Sequence, residues 1–119
     1  MTSNLEDVVT RCHRLATAAA LPEVELGTSY GKPSLKVAGK QFVGNRGDGD
    51  ASMPLPPDLK EMLLQVAPEI YHETDHYKGT TWLLIRMSAI SDEELTQRLT
   101  DAWRFRAPKK LAASLRPTA

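Results

Sequence analysis

The segment from Glu25 to Leu55 most constrains the fold, because short apolar runs alternate there with turn-forming residues. Glycines, prolines and asparagine interrupt runs that hold β-branched or aromatic side chains, which predicts strands joined by tight turns. In one run Leu35 and Val37 alternate with polar residues, as in an antiparallel strand with one buried face. Pro54 cannot donate to a strand ladder, so we expect its strand to lie at a sheet edge. The predicted strands lie near residues 25–30, 33–38, 40–45 and 51–55.

Two helices are predicted on either side of these strands. The first begins at a capping box of Ser3 and Glu6 and ends at Leu21-Pro22. Cys12 falls on its apolar side and is expected to pack in the core. The second helix opens at Pro56-Pro57-Asp58 and stops at Pro68. The residues expected on its apolar side are Leu59, Met62, Leu63 and Val66.

A hairpin and a third helix complete the predicted order. Residues 70–74 and 80–88 form the hairpin strands around a loop that contains Gly79. The third helix has Ser91 as its N-cap, with Glu94 as the reciprocal partner of a capping box, and Pro108 stops or kinks it.

This order of elements predicts an α+β protein. A helix, three or four strands, a helix, two strands and a helix are most simply packed as a two-layer α/β sandwich. We expect an antiparallel sheet with the helices on one face. A single domain is expected over residues 1–115, followed by a frayed tail at 116–119.

Cysteine content and hydropathy narrow the class of protein. A single cysteine excludes an intrachain disulfide framework and a zinc site built on a cysteine pair. The longest apolar stretch, Trp82 to Ile85, is far shorter than the roughly 20 residues that span a bilayer. The acidic start of the chain shows no secretory signal. We therefore expect a cytoplasmic protein with no membrane partner.

Charge is balanced over the whole chain but uneven along it. Fifteen Lys and Arg residues match 15 Asp and Glu residues, for a net charge of +0. Residues 27–46 carry +4, residues 47–77 carry −6, and residues 104–119 carry +5. Proteins that bind nucleic acids are usually basic overall. Nucleic-acid binding therefore requires that the two basic segments share one face, and solvated faces of uneven charge are the alternative.

One stretch matches a zinc-protease motif. Residues 72–76 read H-E-x-x-H, which binds zinc only when both histidines lie on one helix face. Pro68, Thr74 and Gly79 favour a strand and a loop instead. In an extended chain His72 and His76 are about 13 Å apart, too far to share one ion. We expect a coincidental match, no metal, no cofactor and no enzymatic activity.

The segment from Asp75 to Trp82 is chemically rich, since it holds imidazole, phenol, ammonium and indole groups at the hairpin tip. Lys78 could contact a phosphate while His76 or Tyr77 stacks on a base or a ligand ring. The alternative is that Trp82 is core, Tyr77 is half-buried and the rest is a solvated turn. The basic stretch from Trp103 to Lys110 leaves the same two interpretations open, because helix C-termini attract cations anyway.

Three blocks of the sequence resemble the MmcQ/YjbR family. The first block covers Leu21–Glu25, Thr28–Val37 and Gly39–Phe42, the second covers Ala67–Glu69, Thr74–Gly79 and Trp82–Met87, and the third covers Ala102–Arg104 and Ala107–Leu111. The resemblance runs from about Asp7 to Leu115 in matching order. It implies an α-β(3)-α-β(2)-α domain whose antiparallel sheet is similar to that of secretion chaperones. It also implies DNA binding, after a double-wing appearance, and provides no catalytic residues.

The leading hypothesis is a non-enzymatic DNA-binding protein of this family, with double-stranded DNA as its partner. An alternative is a protein-interaction or chaperone-like module that uses an exposed sheet face or edge to bind a protein partner. A third hypothesis is a small-molecule site or enzyme at His76, Tyr77 and Trp82, which requires a concave pocket there. The candidate DNA-binding residues are Lys32, Lys36, Lys40, Arg46, His76, Tyr77, Lys78, Arg104, Lys109 and Lys110.

Overall fold

The computed structural model describes residues 7–29, 31–45 and 49–114, and in these ranges it is an α+β protein, as predicted. Every helix in these ranges is too short or too polar to span a bilayer. The predicted boundary between domain and tail at residue 115 lies outside them. The elements are α1 (Val8–Ala18), β1 (Val24–Ser29), β2 (Lys32–Val37), β3 (Lys40–Asn45), β4 (Asp50–Pro54), α2 (Pro57–Val66), β5 (Tyr71–His72), β6 (Trp82–Arg86), α3 (Asp92–Arg106) and α4 (Lys109–Ser114).

The strands form one antiparallel sheet in the order β1-β2-β3-β4-β6-β5. Helices α1 and α3 pack against each other and against β3 and β4, so they share one face of the sheet. The strands bury alternate side chains on that face, because successive residues of a strand point to opposite sides. The buried residues facing these helices include Leu35, Val43, Ala51, Met53, Leu83 and Ile85.

The prediction that Pro54 marks an edge strand is wrong, because β4 lies between β3 and β6. Leu55 donates its N–H to the Thr81 carbonyl, and backbone groups alternate in direction along a strand, so the Pro54 nitrogen faces β3. The pairing of β4 with β3 ends at Ser52. Proline is therefore tolerated in a central strand, because it lies just beyond the paired part.

Helix α1 begins at Val8, later than the predicted capping box. Asp7 is the N-cap, and its carboxylate accepts the Thr10 N–H at 2.9 Å. Ser3 and Glu6 lie outside the described residues. Cys12 is fully buried as expected, and burial raises the pKa of its thiol to about 12.

Helix α2 buries a different side from the one predicted. Met62 and Val66 were expected to be apolar core residues but are 49% and 66% exposed. Lys60 is only 6% exposed and shares the buried side with Leu63. The Lys60 ammonium lies inside the fold because it donates to two backbone carbonyls of the loop between β5 and β6. The pairing of these polar groups determines the face that the helix buries.

Helix α3 begins as predicted, with the Ser91 hydroxyl accepting the Glu94 N–H at 3.1 Å. The second half of the capping box is not formed, because the Glu94 carboxylate accepts the Tyr71 hydroxyl instead. This hydrogen bond ties the short edge strand β5 to α3. Pro108 ends the helix, as expected, but a further short helix, α4, follows it.

The sheet face opposite α1 and α3 carries a row of small side chains. Strand pairing aligns Gly27 with Ser34 and Gly44 with Ser52. A Cβ atom at Gly27 would lie 3.2 Å from Lys36 Cε, and one at Gly44 would lie 2.8 Å from the Gln41 side-chain nitrogen. The two glycines thus leave room for the long Lys36 and Gln41 side chains to lie across the sheet.

Candidate nucleic-acid interface

The two basic segments of the sequence meet at one end of the sheet. Arg106, in the last turn of α3, donates its Nε–H to the backbone carbonyl of Gln41 at 3.0 Å. Lys40 precedes Gln41 in the chain, and Lys36 lies opposite Gln41 in the β2–β3 register. This contact therefore joins the β2–β3 hairpin to the C-terminal end of α3. We call the resulting cluster the basic end, and its residues are Lys36, Lys40, Arg104, Arg106, Lys109 and Lys110.

Most of these cations are open to solvent. Lys40, Arg104, Lys109 and Lys110 are exposed, whereas Lys36 and Arg106 are partly buried. The Lys36 stem lies over Gly27, an arrangement that buries methylene groups and leaves the ammonium near the surface. Within the described ranges these six side chains form no ion pair with a carboxylate. Lys36 lies opposite Glu25 in the β1–β2 register, so the charge available to attract an anion is chiefly that of the other five cations.

Two aromatic side chains lie within the basic end. The Arg106 guanidinium carbon is 5.9 Å from the centroid of the Trp82 ring, within the range of a cation–π contact. Trp82 begins β6, pairs with Pro54 and is only partly buried, so it is not the core residue that one interpretation of the sequence expected. Phe105, between the two arginines of α3, is 38% exposed.

Lys32 and Arg46 are two of the five predicted DNA-binding residues that are not part of this cluster. Lys32 begins β2, and four residues of extended strand place it about 13 Å along the chain from Lys36, toward the other end of the sheet. Arg46 lies outside the described residues.

The loop between β5 and β6 holds the remaining predicted residues, His76, Tyr77 and Lys78. The Lys78 ammonium is 3.4 Å from the Asp75 carboxylate, and both side chains are largely exposed. The rings of His76 and Tyr77 are 5.2 Å apart and tilted relative to each other. One cation of this loop thus faces a carboxylate of the acidic segment, while the two rings remain near the surface.

Lys60, which the sequence interpretation missed, holds this loop in place. Its ammonium donates to the carbonyls of Tyr77 at 2.9 Å and Thr80 at 2.7 Å, and lies 3.3 Å from the Glu73 carboxylate. The spacing of Lys60 from Leu63 and Ala67 was the available signal, because these positions share a helix face. A lysine on the same helix face as these apolar residues indicates either that this face is solvated or that the ammonium is buried and donates to carbonyls.

A cleft of about 310 Å³ lies beside this loop. Neither the imidazole and phenol of the loop nor the Trp82 indole lines it, so this cleft is not the pocket that the third hypothesis requires. The cleft is lined by Pro57, Lys60, Glu61, Leu64, Glu73, Gly79, Thr80 and Thr81.

The H-E-x-x-H stretch runs from a strand into a turn, as its flanking residues predicted. His72 ends β5, and its Nε2 lies 2.8 Å from the Asp50 carboxylate of β4. His76 lies in the turn that follows and is exposed. The two imidazoles are therefore not neighbours on one helix face, which is the geometry that the protease mechanism requires.

Comparison with known proteins identifies a family, and the similar proteins found are uncharacterized. Similar proteins include the uncharacterized proteins Rv2570 and MT2646 of Mycobacterium tuberculosis and Mb2600 of Mycobacterium bovis. Each is 34% identical over 53 residues, which cover 44% of this chain and 41% of the relative. The chain thus aligns with less than half the length of these curated relatives. No solved structure gives a significant match. The YjbR family model matches residues 19–105, most of the chain, and the chain therefore belongs to the YjbR family.

Proposed function

We propose that this protein is a cytoplasmic, non-enzymatic DNA-binding protein and that the basic end contacts the phosphate backbone. The observation that carries the proposal is the Arg106–Gln41 hydrogen bond, because it joins two cationic segments that are far apart in sequence. The alternative interpretation is that the charged segments are only solvated surface. It does not require the two basic segments to meet.

The zero net charge of the chain is compatible with this proposal. Electrostatic interactions between exposed groups are screened over about 8–10 Å at physiological ionic strength, so the local charge determines the attraction. Two carboxylates of the acidic segment form ion pairs with lysines: Glu73 with the buried Lys60, and Asp75 with Lys78. The basic end holds six cations and no ion-paired carboxylate within the described ranges, so its local charge is more positive than the net charge of the chain.

The salt dependence of duplex binding tests the proposal. Anisotropy of a fluorescently labelled DNA duplex is measured with the full chain at about 50 mM salt and at several higher concentrations, because counterion release steepens the dependence with each phosphate contact. We expect binding that weakens steeply with salt. The double variant Lys40→Gln/Lys110→Gln should lower the slope by roughly 1.8 log units per log unit of salt, about 0.9 for each lost contact.

A matched control removes the same charge elsewhere. Arg14→Gln/Lys32→Gln neutralises two exposed cations, one on α1 and one at the start of β2, toward the other end of the sheet. We expect its salt slope to match that of the unmodified chain. Equal losses in both double variants would show that only the total charge matters, and absent or salt-independent binding at low salt would refute DNA binding.

A second candidate function, a protein-interaction module, is supported by one observation on α2. Met62 and Val66 lie four residues apart, so they form neighbouring exposed apolar groups on one side of the helix. If this side binds a protein partner or a second copy, Met62→Lys/Val66→Lys should abolish that association without changing DNA binding. Light scattering after size-exclusion chromatography would reveal a self-association that the double variant removes.

A further inference from the structure

We infer that the basic end is built to bind single-stranded nucleic acid in preference to a duplex. This inference depends on the proposed function, since it assigns the form of nucleic acid that the same cations contact. It is based on the two aromatic side chains within the cluster, which phosphate binding alone does not require.

The first aromatic group is the Trp82 indole. It lies at the start of β6, partly exposed, with the Arg106 guanidinium 5.9 Å from its ring centroid. A guanidinium held by both the ring and the Gln41 carbonyl is fixed in orientation. Such a planar cation can stack on a base while it attracts a phosphate.

The second aromatic group is Phe105, a large apolar side chain that is 38% exposed. One exposed apolar side chain needs no explanation by itself. Here, however, the ring follows Arg104 and precedes Arg106 in α3, and Lys109 and Lys110 begin the next helix, α4, after Pro108. Cations on both sides of an exposed ring match the chemistry of a nucleotide, which has a charged backbone and a flat base.

A DNA duplex gains little binding energy from exposed aromatic rings placed beside cations. Its base faces are stacked inside the helix, so exposed rings can reach them only by wedging between base steps. In a single strand the base faces are free, and each base stacked on an aromatic side chain contributes about 1–3 kcal/mol. The cations at the basic end serve either form, whereas the rings serve only the single strand.

The test compares single strands with a duplex for three proteins: the unmodified chain, Phe105→Ala and Phe105→Trp. The probes are a labelled oligothymidylate, a labelled oligouridylate and a labelled duplex of the same length. Oligothymidylate and oligouridylate distinguish a DNA strand from an RNA strand through the 2′-hydroxyl. Because Phe105 is partly exposed, the alanine variant should fold, and circular dichroism melting verifies this.

We expect one or both single strands to bind more tightly than the duplex. Phe105→Ala should weaken single-strand binding roughly 5- to 150-fold with an unchanged salt slope, because it removes stacking and no charge. Phe105→Trp should keep the affinity, and duplex binding should not change. If the duplex binds as tightly as both single strands, or if Phe105→Ala weakens duplex and single strands equally, the inference is wrong while salt-dependent duplex binding still supports the proposed function. Failure of all three probes to bind would refute both.

Discussion

Lys60 determines, as a single residue, which side of α2 is buried. A pattern of apolar residues assigns the face of a helix correctly when all polar groups can reach water. Here the Thr80 carbonyl needs a donor inside the fold, and the Lys60 ammonium provides it while it also donates to the Tyr77 carbonyl. Met62 and Val66 are exposed as a consequence. The sequence alone could not reveal this, because the carbonyls belong to a loop that lies 17 to 20 residues further along the chain.

Replacing Lys60 by methionine should therefore destabilise the protein despite the apolar character of the new side chain. Lys60→Met leaves the Thr80 carbonyl without its ammonium donor and the Glu73 carboxylate without its ion-pair partner, at a cost of roughly 2–4 kcal/mol in the free energy of unfolding. Urea denaturation at neutral pH measures this change. Lys109→Met, at an exposed position, should change the same quantity by less than about 0.5 kcal/mol. A Lys60→Met protein as stable as the unmodified chain would contradict the assigned role of the ammonium.

Individual elements were predictable where local residues determine them. Tight turns at Gly31 and Gly39, both with positive φ, delimit β2, and its predicted and observed bounds differ by one residue. Pro108 similarly ends α3. Helix α1 was predicted less well, because both Ser3 and Asp7 can accept the N–H groups of a first turn. The position of Pro54 in a central strand depends on where β3 stops pairing, which is a tertiary property.

The N-cap of α1 provides a prediction about pH. The Thr10 N–H that bonds to Asp7 lowers the pKa of this carboxyl group below its usual value. A lowered folded-state pKa stabilises the fold above pH of about 4, and this contribution is lost as the pH falls through the folded pKa. Asp7→Ala should cost about 1 kcal/mol at pH 7.

Asp7→Asn separates the cap from its charge. The asparagine side chain still accepts the Thr10 N–H, so most of the stability at pH 7 should remain. Its free energy of unfolding should fall less than that of the unmodified chain between pH 6 and about pH 3, since the group no longer titrates. Urea denaturation at several pH values measures both effects, and identical pH profiles for the two proteins would contradict the role of the Asp7 carboxylate.

At the scale of the whole molecule, side chains far apart in sequence hold the helices to the sheet. The Arg11 guanidinium of α1 donates to the Met87 carbonyl at 2.6 Å, the Ile90 carbonyl at 2.7 Å and the Asp92 carboxylate at 2.9 Å. This contact spans the connection between β6 and α3. The basic end depends on a similar long-range contact, between Arg106 and Gln41. The charged segments could be identified in the sequence, but which end of the sheet each occupies followed only from strand order.

Arg11→Lys should destabilise the protein although it keeps the charge. A lysine ammonium cannot match three acceptors that the planar guanidinium reaches together, so we expect a loss of about 1–3 kcal/mol in the free energy of unfolding. Arg14→Lys is the matched control, because Arg14 is exposed and lies 3.6 Å from the same Asp92 carboxylate. Its loss should stay below about 0.5 kcal/mol in the same urea titration. Equal losses for the two variants would show that the planar shape of Arg11 is unimportant.

The acceptors of Arg11 have a consequence for biosynthesis. Met87, Ile90 and Asp92 are made long after α1, and Trp103, whose indole donates to the Pro22 carbonyl at 2.8 Å, is made later still. A ribosome-bound chain that stops before these residues already contains strands β1 to β4, against which α1 packs, but it lacks the acceptors of Arg11 and the whole of α3. The part of α1 that packs against α3 therefore stays uncovered until the last third of the chain is made, and this interval is when chaperones have access to it.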